Sequence, residues 1–311
     1  MSDSRLVHIL DEVPDLSSQP EGGGPVLVVS LDGFLDAGHA GKGAVSRLLE
    51  SSGDGGRVVA SFDVDSLHDY RARRPAISFV EDHYEAFDAP RLVVRLLHDR
   101  RGAAYLLLHG PEPDIRWEGF AAAVRQVVEH FGVRLVVSLG SVPMAAPHTR
   151  PVMVTNHATR PDLLVDENVW RGEIRVPSSA TSLVELRLGE WGYDAMGFVA
   201  HVPHYVAQGD YPAASAKLLE SLEVVSGLEW DLEPLADKAR ARADEIAEQV
   251  RDSPEVADVV AGLEQQYDTF ARSDETGTAL PLAEQEQELP TAEELGDEFE
   301  RFLAGLDPDS D

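Results

Sequence analysis

Apolar residues recur along this chain in two rhythms. Short, largely apolar runs, most of them rich in valine and leucine, occur at Val26–Leu31, Arg57–Val64, Arg91–Leu97, Ala104–Leu108, Val133–Leu139 and Ala195–Ala200. Runs of that length and β-branched content predict strands buried on both faces. Between them the spacing changes to that of a helix. Ala40–Leu49, Trp117–Phe131, Ser182–Leu188 and Ala213–Val225 carry apolar side chains on one stripe, clearest at Phe120, Val124, Val127, Val128 and Phe131. Asp32-Gly33, Ser51 to Gly56, Asp99 to Gly102 and Gly132 punctuate the series as turns or caps. The proline-rich stretch 145–178 predicts an irregular excursion over the surface. Strands alternating with helices predict a three-layer α/β/α fold around a mostly parallel mixed sheet.

The texture changes near Gly227. Residues 232–251 and 254–270 have helical, highly charged patterns separated by Ser253-Pro254, a good cap and first-turn pair. Residues 271–290 read as a linker. Thr291-Ala-Glu-Glu294 then has the form of a capping box, followed by Leu295, Phe299, Phe302, Leu303 and Leu306 on one narrow face of an acidic helix. The expected organisation is therefore a core domain over 1–230, a helical extension over 231–270, and an acidic linker with a short amphipathic helix over 271–311. Such a helix suits docking on a protein partner through Leu295, Phe299, Phe302 and Leu303, or folding back on its own core.

Charge narrows the partners. The net charge is −30, of which residues 231–311 contribute −18. A surface this acidic repels phosphate backbones, so neither nucleic acid nor an anionic membrane is an expected partner. The chain has no cysteine, hence no disulfide framework and no thiolate nucleophile. It has no long apolar run and no basic leader, and the expected location is the cytoplasm.

Candidate chemistry lies at the strand ends, where ligands bind in open α/β sheets. Asp32 and Asp36, His109, Ser141, and His201 occupy four such turns. If they converge, a histidine of near-neutral pKa could protonate a leaving group from a small polar substrate. Ordinary turn chemistry is the favoured explanation of each loop taken singly, and less so of all four together. Gly38 to Gly43 lacks the glycine and the Ser/Thr of a phosphate loop. Ser141 lies outside a Gly-x-Ser-x-Gly elbow. His201 and His204 flank Pro203 after a strand, not on a helix, so no metal or cofactor is expected. Arg71, Arg73 and Arg74 form a small basic cluster, read as a solvated loop or a partner contact.

Several segments together resemble the proteasome assembly chaperone 2 family. Leu31-Asp-Gly-Phe-Leu-Asp-Ala-Gly38 is similar to its Gly-Trp-x-Asp-Ala-Gly segment. Leu139-Gly-Ser-Val-Pro143 with Pro147-His-Thr-Arg-Pro151, and Ala200-His-Val-Pro-His204-Tyr205 with Tyr211-Pro212, resemble later motifs in the same order. The resemblance implies a nucleoside-phosphorylase-like α/β/α core, homo-oligomers with a trimer favoured, and chaperones that bind the α-ring of the proteasome. Those chaperones insert a C-terminal hydrophobic–Tyr–any tripeptide, whereas this chain ends Asp309-Ser310-Asp311. The family has also been labelled ATP-grasp carboxylate–amine ligase, which no phosphate-binding motif here supports. A non-catalytic binding protein is the expectation, with a phosphorylase-like enzyme as the alternative.

Overall fold

The valine- and leucine-rich runs form the middle of one sheet because each has two helical layers to bury against. Val26 and Val28 face one core and Leu27 and Val29 the other, so the run has no polar face to give up. The computed structural model describes residues 6–13, 16, 23–33, 35–165 and 173–275, with side chains to Thr269. Its strands are β1 (Val7–Ile9), β2 (Val26–Asp32), β3 (Arg57–Phe62), β4 (Ile77–Val80), β5 (His83–Phe87), β6 (Val93–His98), β7 (Ala104–Pro111), β8 (Leu135–Met144), β9 (Val154–Ala158) and β10 (Ala195–Pro203). The helices are α1 (Ala40–Ser51), α2 (Trp117–Phe131), α3 (Ala180–Glu190), α4 (Pro212–Ser226), α5 (Glu233–Asp252) and α6 (Pro254–Glu275).

Among the described residues, eight strands make the main sheet in the order β1-β3-β6-β7-β2-β8-β10-β9. β7, β2, β8 and β10 are mutually parallel, and β3 runs the same way because two antiparallel steps separate it from β7. β1, β6 and β9 run against them. α2 and α3 cover one face with Phe120, Val124, Val127, Val184 and Leu188; α1 and α4 cover the other with Ala44, Leu48, Leu218 and Leu222. This is the expected three-layer mixed fold.

Two segments differ from the sequence expectation. The proline-rich stretch is not irregular throughout: β9 lies within it and pairs antiparallel with β10, Asn156 opposite Phe198. β4 and β5 form a separate two-stranded hairpin in the connection from β3 to β6, where no element was expected.

The chain divides into two units, Met1–Thr269 and Phe270–Asp311. α5 belongs to the first, with Leu235 and Ile246 in the same core as α4 and Trp230. The Trp230 ring lies edge-on to Tyr105 at 5.4 Å, and its Nε1–H donates to the Tyr105 hydroxyl at 3.2 Å. α6 is tied to the loop before β9. Arg150 makes two 2.8 Å bonds to the Asp268 carboxylate, and the Tyr267 hydroxyl donates to the Pro151 carbonyl at 3.1 Å. The apolar face of Leu295, Phe299, Phe302 and Leu303 lies outside the described residues.

Candidate functional site

The pairing registers open the sheet at one place. β2 pairs with β7 as far as Asp32 opposite Pro111, but with β8 only as far as Val29 opposite Ser138. β8 continues alongside β10 to Met144 opposite Pro203. Beyond Val29 and Ser138 the two central strands therefore part. Chain direction also reverses here: β2 leads through α1 to β3 on one side, and β7 through α2 to β8 on the other. This is the switch point at which open α/β sheets take ligands.

On the α1 face the fork is filled by the chain itself. Asp36 accepts the Gly41 N–H at 2.8 Å through Oδ1 and the Lys42 N–H at 3.1 Å through Oδ2, so its carboxylate satisfies first-turn donors of α1. The Ser141 hydroxyl, 2% exposed, lies 2.9 Å from Asp36 Oδ1 and 2.8 Å from the Ala37 carbonyl oxygen. Its one proton is shared between two acceptors. Gly38 has φ +64°, and a Cβ on it would stand 2.6 Å from the Tyr211 Cβ. The Gly38 N–H donates to Ala207 and its carbonyl accepts from Tyr211, binding the Asp-Ala-Gly turn to the start of α4. The small residues of this motif thus serve close backbone approach.

No hydrogen bond joins the other candidates to this pair among the described residues. Asp32 is exposed at the end of β2. His109 shares the α1 face by strand alternation, being two residues on from Leu107, but its Nε2 accepts from Arg95 Nε at 3.1 Å. Burial, then the Arg95 charge, holds its pKa below the ordinary histidine value, with Asp32 opposing. His201 falls on the α3 face, since Ala200 and Val202 beside it point to the α1 core. Its Nε2 is 2.8 Å from Thr155 Oγ1, and burial lowers its pKa. On that same face, no atom of a described residue other than its chain neighbours lies within 4 Å of where a Cβ on Gly140 would stand.

Three groups make contacts or structure that the sequence reading did not anticipate. His148 and Tyr205 bond reciprocally: the His148 N–H donates to the phenol oxygen at 2.8 Å, and its Nδ1 lies 2.8 Å from the same atom. The Pro-His-Thr-Arg-Pro stretch therefore locks to the end of β10 through His148 and to α6 through Arg150. Arg73 gathers the Glu112 carbonyl and Asp114, while Asp114 also takes His68 Nδ1 at 3.1 Å. The hairpin is the third, and every residue of β4 and β5 is exposed. The signal for it was Ile77, Phe79, Tyr84 and Phe87 disposed about Glu81-Asp82. Among the described residues no cluster of three or more His, Asp or Glu could hold a metal ion, and no helix is long and apolar enough to cross a membrane.

Solved structures resemble this chain closely. A Mycobacterium tuberculosis protein of unknown function is 44% identical with a TM-score of 0.81, over 88% of this chain and 92% of its own. A Corynebacterium glutamicum protein of unknown function is 38% identical with a TM-score of 0.80, over 85% and 97%. A Mycobacterium tuberculosis proteasome-assembly chaperone homologue is 28% identical with a TM-score of 0.70, over 76% and 99%. No protein with a curated description matches. The PAC2 family model matches residues 30–250, and on that match the chain belongs to the PAC2 family.

Proposed function

We propose that this chain is a cytoplasmic, non-catalytic binding protein that acts through protein–protein contacts, in the manner of a proteasome assembly chaperone. One observation carries the reading. Eight of the fourteen large apolar side chains exposed among the described residues lie in connections or strand ends at a single end of the sheet. They are Leu35, Ile77, Phe79, Val80, Tyr84, Phe87, Ile115 and Met144. Apolar surface concentrated in this way marks interaction sites. The similarity to a proteasome-assembly chaperone homologue points to proteasome α-subunits as the partner class, and assembly with copies of itself accompanies it.

The catalytic alternative has less support. Catalytic groups must reach one substrate, yet Asp36 caps α1 and holds the Ser141 hydroxyl, and His109 and His201 lie on opposite faces of the sheet. The test is titration of the purified chain with isolated proteasome α-subunits, read by calorimetry. Saturable binding that Ile115→Ser and Met144→Ser weaken is the expected result. Absence of binding together with turnover of a nucleoside by the same preparation would overturn the reading.

A further inference from the structure

We propose that the α3 face of the sheet carries a binding site for a primary ammonium group, formed by Glu185, Ser138 and Thr181 with His157 orienting the carboxylate. The site goes beyond the reading of a protein-binding role and does not depend on it.

Strand register brings the polar groups together. Gly197 of β10 pairs with Ser138 of β8 on one side and with His157 of β9 on the other. Residues in one such row share a face, and Val136, two positions before Ser138, places that face in the core under α3. A Cβ on Gly197 would collide with Ser138 Oγ and with the His157 ring, whose Nε2 would be 2.7 Å away. Hydroxyl and imidazole thus share the room that a side chain on β10 would take.

α3 supplies the charge. The His157 Nδ1–H donates to Glu185 Oε1 at 2.8 Å, which fixes the carboxylate. Glu185 Oε2 is buried and takes no hydrogen bond from any described residue. A carboxylate oxygen closed off from water without a donor is costly, so a donor is to be expected there. Glu185 and Thr181 stand one turn apart on α3. With Ser138, Val29, Val136 and Val184 they line a pocket of about 190 Å³ between helix and sheet, partly open to solvent. The Ser138 proton turns to the Met196 carbonyl at 3.4 Å, so its oxygen faces other groups as an acceptor. The polar wall of the pocket is therefore three oxygens, one of them charged. An anion is repelled by Glu185. A divalent metal needs more charged ligands, and no cluster of three or more His, Asp or Glu stands ready among the described residues. A primary ammonium brings one positive charge and three N–H donors, one for each oxygen. The valines beside them suit a short alkyl chain behind it.

The test is titration of the full chain with n-propylammonium chloride, followed through the His157 ring signals in NMR. Saturable shifts are expected. Tetramethylammonium chloride, which has no N–H donor, and potassium chloride should leave the signals in place at the same concentrations. Glu185→Gln keeps an oxygen for the His157 proton but removes the charge, and should weaken binding by about tenfold or more. Its thermal midpoint without ligand should be no lower than the parent's, because an unpaired buried charge has been taken away. Thr181→Val changes no charge and should also weaken binding, which keeps the test decisive if Glu185→Gln disturbs folding. Absence of a saturable shift overturns the proposal, as does binding undiminished in a folded Glu185→Gln chain. An equal response to potassium would assign a bare-cation site instead, and an equal response to tetramethylammonium would reduce the effect to ionic strength; either overturns the ammonium assignment.

Discussion

The Asp36 carboxylate shows how a residue that resembles chemistry can serve structure. It holds two backbone donors of α1 and the buried Ser141 hydroxyl. Asp36→Ala removes the cap and leaves those donors to find water, at a cost of about 1–2 kcal/mol. The denaturant midpoint measures this, and an unchanged midpoint would rule out the capping role. Nothing in sequence could have joined Asp36 to Ser141, because the two are brought together only when β2 and β8 part. The neighbouring Gly38 was easier to interpret: small residues before a helix suggest close packing, and the Tyr211 contact is its form. The buried histidines give a pH dependence with a definite sign. His109, His148 and His201 all have pKa values lowered chiefly by burial. They stay neutral in the folded chain where the unfolded chain's histidines take up protons, below about pH 6.5. The unfolded state then binds more protons, so stability falls as pH falls through that range. Urea midpoints should decline from neutral to mildly acid pH, and His109→Gln should flatten the decline.

At the scale of elements, α6 is held by polar contacts more than by burial. Val260 is the one residue of this helix fully buried among the described side chains, while Arg150, Thr149 and Pro151 bind Asp268, Glu264 and Tyr267. Arg150→Leu should raise hydrogen exchange across residues 254–269 while leaving β2 and β8 protected. Exchange unchanged in α6 would show that the pair contributes nothing. α2 was legible to the residue, because five apolar side chains repeat at helical spacing and Gly132 ends the helix in the left-handed region at φ +60°. The hairpin was not, because a strand is recognised by the face it buries and β4 and β5 bury none. β9 hid among prolines: its pattern is half-polar, and only its pairing with β10 makes it a strand.

For the whole molecule, the domain boundary expected at residue 230 falls inside a continuous core. Leu235 and Ile246 of α5 belong to the same buried core as Leu219 and Leu222. A chain ending at Leu232 should lose solubility, or unfold at a lower temperature than the parent. A truncated chain with the parent's thermal midpoint would restore the boundary at 230. Apolar patterning and alternation carried the layered architecture, since every central strand has two faces to bury. The grouping of exposed side chains at one end depended on strand direction, which no local pattern specifies. Both edges of the main sheet are closed by short antiparallel strands, β1 and β9, which limits extension by strand addition.

The contact between Trp230 and Tyr105 gives the folded chain an optical reporter. An indole that is 3% exposed emits at shorter wavelength than one in water, and a phenol 5.4 Å away passes its excitation to it. Both signatures depend on the segment leading into α5 staying seated on β7. With Trp117, Trp170 and Trp191 replaced by phenylalanine, the emission wavelength of Trp230 would follow the docking of that segment in solution without an added label.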